Sequence, residues 1–205
     1  MIAIINPASG PGSGPNEQWA NGINALRAAG IKVVGYVATG YGSDSLTGVE
    51  AQIGNYASWY KIDGVFFDEM ANSNGAGNCP SGCTIQQYYS SLVKFSSGVG
   101  YKLTVGNPGT SADRSLYGIM SILVIYEAPG NAAISQIQNS ALGNRSEFGY
   151  IGIGVGFGSA QEKSYANYVG WIYMTDLCTG QSVSFCNPYD GLPSYFSSLV
   201  SSLSR

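Results

Sequence analysis

Strand-like and helix-like segments alternate along the whole chain, and the strand-like ones are apolar at nearly every position rather than at every second one. Ile2 to Ile5, Lys32 to Thr39, Asp63 to Glu69, Lys102 to Gly106, Ser121 to Glu127, Tyr150 to Val155 and Trp171 to Thr175 are seven such runs. A strand that is apolar on both sides is buried on both sides, as in a parallel sheet covered by crossover helices. Helices are expected over 17–29, 46–59, 84–96, 131–142, 161–168 and 192–203, while 113–117 is too short for more than a turn or two. Asn16 caps the first and Gly30 stops it. Seven β-then-α units, with no Gly-x-Gly-x-x-Gly turn after the first strand, favour a TIM-like (β/α) barrel lacking one strand over an open dinucleotide-binding sheet. At 205 residues, one domain spanning 1–205 is expected.

The chemistry is expected where strands end. Ile62 to Met70 is an apolar, aromatic run interrupted at its end by Asp68 and Glu69. Burying carboxylates beside Phe66 and Phe67 disfavours their charged form, a cost accepted where a protonated acid or a poised nucleophile is needed. The blander alternative is a helix cap or an ion pair with one of the nine Lys and Arg residues. It loses ground because a second strand ends the same way at Glu127, with Ala128-Pro129-Gly130 expected to stop it. Adjacent strand positions face opposite ways, so only one of Asp68 and Glu69 can face the barrel mouth unless the strand is already turning.

Two carboxylates from different strands are the minimum equipment of glycoside hydrolysis. The chain contains no His, which removes Ser-His-Asp and Cys-His catalysis. Tyr36, Tyr41, Tyr126, Trp171 and Tyr173 lie near the same edge as candidate sugar-stacking rings, although most strand aromatics are core. Tyr41 and Tyr126, at strand ends, are the best of them. Asn6 and Asn107, each followed by Pro, serve either as hydroxyl-binding amides or as turn formers.

A net charge of −3 with only 10% charged residues argues against a nucleic-acid partner. No apolar run is long enough to span a membrane. The four cysteines form two close pairs, Cys79 with Cys83 and Cys178 with Cys186, most simply read as two local disulfides in an oxidising compartment. Zinc fits less well, because the spacing is unlike a zinc ribbon and no His completes a mixed site; neither metal nor cofactor is expected. The chain starts directly in a strand, with no signal-like segment, so export is inferred from the cysteines. Asn144-Arg145-Ser146 is a glycosylation sequon compatible with it. A secreted monomer, extracellular or in a cell wall, is expected.

Four segments taken in order, Ile5-Asn6-Pro7-Ala8-Ser9-Gly10-Pro11-Gly12, Gly35-Tyr36-Val37-Ala38-Thr39-Gly40-Tyr41-Gly42, Tyr56-Ala57-Ser58-Trp59 and Gly64-Val65-Phe66-Phe67-Asp68-Glu69, resemble the spherulin-4 family. The resemblance covers most of the chain and weakens after about Pro129. It implies a TIM-like (β/α)8 barrel in secreted microbial proteins. It also implies kinship with glycoside hydrolase families 135 and 114, which cleave α-1,4-linked galactosamine-containing polysaccharide with retention. Carried over by position, it implies Asp68 as nucleophile, Glu127 as general acid/base and Glu69 as a supporting acid. The family has one more strand ahead of the Asn-Pro-x-Ser-Gly-Pro-Gly segment, which is expected to be absent from this chain. The competing expectation is a non-catalytic wall or spore-coat protein that keeps the barrel as a carbohydrate-binding or structural surface.

Overall fold

In the computed structural model, which describes residues 1–75, 79, 82–181 and 186–203, every apolar run forms a strand. The chain divides into two compact units, one comprising 1–108 and 112–121, the other 109–111 and 122 onward.

In the first unit β1 (Ile2–Ile5), β2 (Lys32–Ala38), β3 (Gly64–Asp68) and β4 (Leu103–Gly106) pair in parallel in chain order. They alternate with α1 (Glu17–Ala28), α2 (Leu46–Trp59) and α3 (Ile85–Gly98). Each helix starts where a polar side chain takes up an orphan amide. Asn16 accepts from Gln18 and Trp19, Ser45 accepts from Gly48, and Thr84 forms a reciprocal capping box with Gln87. After β4 the chain makes only a 3-10 turn, Arg114–Leu116, so this unit of the repeat has no true helix.

Alternation along β2 and β3 sends Val33, Val37, Val65 and Phe67 into a fully buried layer with Ile53, Tyr56 and Leu92. Two glycines are required by that packing. A Cβ on Gly35 would lie 2.8 Å from the Tyr56 ring, and one on Gly64 would lie 1.8 Å from the Leu103 carbonyl oxygen. The Tyr56 ring thus reaches the strands, where its hydroxyl meets the carbonyls of Tyr36 at 3.1 Å and Ile5 at 3.3 Å. Burial pushes its phenol well above the ordinary value, so it remains a donor.

Asp63 sits at the opposite, N-terminal edge of the strands. Partial burial works to raise its pKa, but bonds from the Val33 amide at 2.9 Å, Lys32 at 3.2 Å and Arg27 at 3.3 Å outweigh it and hold the carboxyl below the usual range. It is a structural anchor.

In the second unit β5 (Ile122–Pro129), β6 (Phe148–Ile153) and β7 (Trp171–Thr175) are also parallel, with α4 (Ile134–Ser140), α5 (Ser159–Tyr165) and α6 (Phe196–Leu203). All three helices are shorter than their apolar pattern implies. Pro193 makes a turn with Phe196 instead of opening a helix, and Ala133 and Gly158 precede α4 and α5 without a side-chain cap. β5 runs on through Pro129 rather than stopping at Glu127. A parallel strand gives its N–H groups to a neighbour only at alternate positions, and Gly130, not Pro129, donates to Ile153. A register shift between Val124 and Tyr126 adds one residue to β5 relative to β6. The core is a stack of tyrosines: Tyr126 on Tyr150 at 4.9 Å and Tyr150 on Tyr165 at 4.4 Å. The disulfides join Cys79 to Cys83 and Cys178 to Cys186, the local pairings expected from their spacing.

Candidate active site

β3 delivers Asp68 as its last residue, half-buried, and the chain turns immediately. Glu69 has φ of 48° and Tyr41, one residue into the turn after Thr39-Gly40, has φ of 55°; both are left-handed, a strained conformation for residues with side chains. The two turns are tied together, the Tyr41 N–H donating to the Glu69 carbonyl at 2.7 Å. The strand is already turning at Glu69. Glu69 leaves the strand, becomes exposed, and is not desolvated beside Phe66 and Phe67 as expected.

Underneath lies a buried chain of hydrogen bonds. The Ala71 amide donates to the Tyr89 hydroxyl at 2.8 Å, and Tyr89 meets the Thr39 hydroxyl at 3.0 Å. Thr39 has one proton and directs it at the Glu69 carbonyl, 2.8 Å away, with the Asp68 carbonyl at 3.1 Å. Tyr89 must therefore be the donor to Thr39. Burial raises the Tyr89 phenol above its ordinary value, against the lowering effect of its bonds to Thr39 and Ala71, which keeps that proton in place. From the other side the backbone of Asn107 clamps the strand end, donating to Phe67 at 2.8 Å and accepting from Met70 at 3.0 Å. Its side-chain amide, buried to 4% exposure, donates to Asp68 Oδ1 at 2.8 Å. Asn107 therefore restrains the orientation of the carboxylate.

In the second unit Glu127 is half-buried two residues before the end of β5, with its N–H bonded to the Gly109 carbonyl at 2.9 Å. The Tyr189 hydroxyl donates to Glu127 Oε1. Asp176, after β7, accepts from the Ser194 hydroxyl and, at 3.0 Å, from the Ser194 N–H; these bonds hold its carboxyl below the usual range, and it acts as a tether for the segment before α6.

The remaining expected residues separate clearly. Tyr41 is 59% exposed at the end of β2, where a ring can receive a ligand. Tyr36 is half-buried and stacks on Phe66 at 6.3 Å. Tyr126 is not an open platform: the longer β5 leaves it three residues short of the strand end, 8% exposed, in the tyrosine stack with its hydroxyl on Gly130. Trp171 begins β7 and so sits at the N-terminal end of that strand, away from the edge expected of it, with its indole N–H on the Ser146 carbonyl at 2.9 Å. The Asn6 side chain accepts from Gly10 at 2.9 Å, the turn-forming role. Asn144 is exposed, its Oδ1 taking both the Ser146 N–H and hydroxyl. Among the described residues no group of three or more Cys, Asp or Glu side chains is arranged to hold a metal, and no helix is long and apolar enough to cross a membrane.

Sequence reasoning passed over Tyr89 and Tyr189. Tyr89 lies on the apolar face of α3 and reads as core. For Tyr189 there was a signal, since Asn187-Pro188 repeats the Asn-Pro pairs at 6–7 and 107–108.

The family model for spherulation-specific family 4, Spherulin4, matches residues 1–203. The chain belongs to the spherulin-4 family. Spherulin-4 of Physarum polycephalum is 32% identical over 222 residues, covering 99% of this chain and 62% of that protein, so the chain spans about three fifths of its relative's length. Among solved structures, Aspergillus clavatus Sph3 in complex with GalNAc superimposes with a TM-score of 0.84 at 23% identity, over 98% of this chain and 85% of that one. The chain shares the fold of Sph3.

Proposed function

We propose that this spherulin-4 family member is a secreted glycoside hydrolase with a single TIM-like barrel domain. It acts with retention, from within the chain, on an α-1,4-linked polysaccharide containing galactosamine or N-acetylgalactosamine. The observation that carries the reading is the strand-end carboxylate of Asp68, half-exposed and fixed by the Asn107 amide at 2.8 Å, in a fold shared with a protein crystallised with GalNAc. A carboxylate held in one orientation but left open to solvent is suited to attack.

Asp68 attacks the anomeric carbon while Glu127 donates its proton to the departing glycosidic oxygen. The glycosyl-Asp68 ester is then hydrolysed by a water from which Glu127 takes a proton, which restores both groups. Glu69 supports Asp68 at the turn, and the exposed ring of Tyr41 stacks on a sugar face. Retention requires the two carboxylates to act about 5 Å apart.

A second reading, a non-catalytic wall or coat protein that binds carbohydrate, is favoured by Tyr41 alone, since an exposed ring can bind sugar without any chemistry. The two are separated by measuring reducing ends released from purified galactosamine-containing polymer. Hydrolysis by the native protein that is lost in both Asp68→Asn and Glu127→Gln supports the enzyme. Binding without product, unchanged in Asp68→Asn, supports the surface protein.

A further inference from the structure

Glu127 and Tyr189 are separated by 62 positions, yet the phenol hydroxyl donates to Glu127 Oε1. Packing does not explain the tyrosine, because Tyr189 is 51% exposed. Its placement is nevertheless built. Cys186, joined to Cys178, fixes the start of the segment, and Asn187 Oδ1 accepts the Tyr189 N–H at 3.0 Å. The Asn187 amide donates to Asp190 Oδ1 at 2.5 Å, and the Tyr189 ring lies 6.2 Å from that of Tyr173. An Asx turn behind a covalent closure presents this hydroxyl with little freedom.

The geometry points to Tyr189 as a positioning residue of Glu127, an inference that rests on the acid/base role proposed above for that carboxylate. A carboxyl group can rotate about the bond that carries it; a hydrogen bond to Oε1 restrains the plane of the group and so the line along which its proton is delivered. In glycosylation the proton of the Glu127 carboxyl moves to the leaving oxygen as the bond to the anomeric carbon breaks. In deglycosylation the Glu127 carboxylate takes a proton from water, and the phenol keeps its own proton throughout. Tyr189 touches neither substrate nor the reacting atoms in this scheme.

The test compares native protein with Tyr189→Phe, which keeps the ring and removes the hydroxyl. Two probes are used: a galactosamine oligosaccharide, whose sugar leaving group needs an acid, and an activated aryl glycoside of the same sugar, whose leaving group does not. The expected result is a kcat/KM lower by roughly ten- to a hundredfold on the oligosaccharide, a KM held within about twofold, near-native kcat/KM on the aryl glycoside, and an unchanged unfolding midpoint. An equal fall on both probes, or a rise in KM alone, would assign the tyrosine to substrate binding or to structure and overturn the inference. So would no change on either probe. If the native protein cleaves neither probe, the hydrolase reading itself fails and takes the inference with it.

Discussion

The surroundings of Asp68 and those of Glu127 hold a carboxylate by opposite means. Asp68 stands on a buried scaffold: Tyr89, Thr39 and Asn107 are nearly inaccessible, and two left-handed residues lock the turn above them. Glu127 projects from an irregular strand and is met by a half-exposed tyrosine on a disulfide-closed segment. In the proposed reaction Asp68, as nucleophile, would have to meet one carbon along one line, which rewards a rigid base. In the same proposal Glu127, as acid/base, would transfer protons at two different moments, and its tyrosine partner comes from a surface segment closed by a disulfide.

The largest effects should fall on the two acids themselves. Asp68→Asn and Glu127→Gln are expected to lower reducing-end release by about a thousandfold or more while the unfolding transition is retained. A variant that keeps native turnover would remove that acid from the pair. Next comes Tyr89→Phe, which strands the Ala71 amide in a buried site and takes away the donor to the Thr39 oxygen, while Thr39 keeps its own bond to the Glu69 carbonyl; a stability loss of about 1–3 kcal/mol is expected by denaturant titration. Tyr189→Phe should stay within about 0.5 kcal/mol of native in the same titration. Equal losses in the two tyrosine variants would erase the contrast between buried scaffold and surface segment.

Asn107→Ala removes the amide from Asp68 and should lower kcat roughly tenfold, with little change in KM. A rise in KM instead would return Asn107 to the sugar-binding role first expected of it. The smallest effect should belong to Asp63, far from either acid in function. Its carboxyl is held below the usual range, so its contribution to stability is full above about pH 4 and is lost as the pH falls further. Asp63→Asn should cost about 1 kcal/mol at neutral pH, leave turnover unchanged, and differ progressively less from native as acid is added. A stability gap that widened in acid would reverse the sign of that argument.

The strands, the alternation and the strand-end position of Asp68 were legible because each is a local pattern: apolar runs, polar endings and turn residues within a few positions. Glu69 could be read only in part, since alternation forbids both acids from facing one way and only φ of 48° shows the strand giving out. Tyr126 and Trp171 were misplaced for a related reason. One added residue in β5 and the strand's continuation through Pro129 bury Tyr126, and strand direction puts Trp171 at the start of β7. Asn107 was found but its partner was not, because a side-chain bond across two strands depends on register. Tyr189 reaches Glu127 from 62 positions away, and no periodicity joins them.

Retaining hydrolysis leaves a sugar ester on one carboxylate, and that ester can be trapped and located. Protein that cleaves the polymer would be treated with a fluorinated galactosamine donor whose ester hydrolyses slowly, then digested and weighed peptide by peptide. A single added sugar on the peptide containing Asp68, absent from Asp68→Asn, is the expected result. A sugar on another carboxylate, or steady polymer cleavage with no ester formed on any peptide, would contradict Asp68 as the nucleophile.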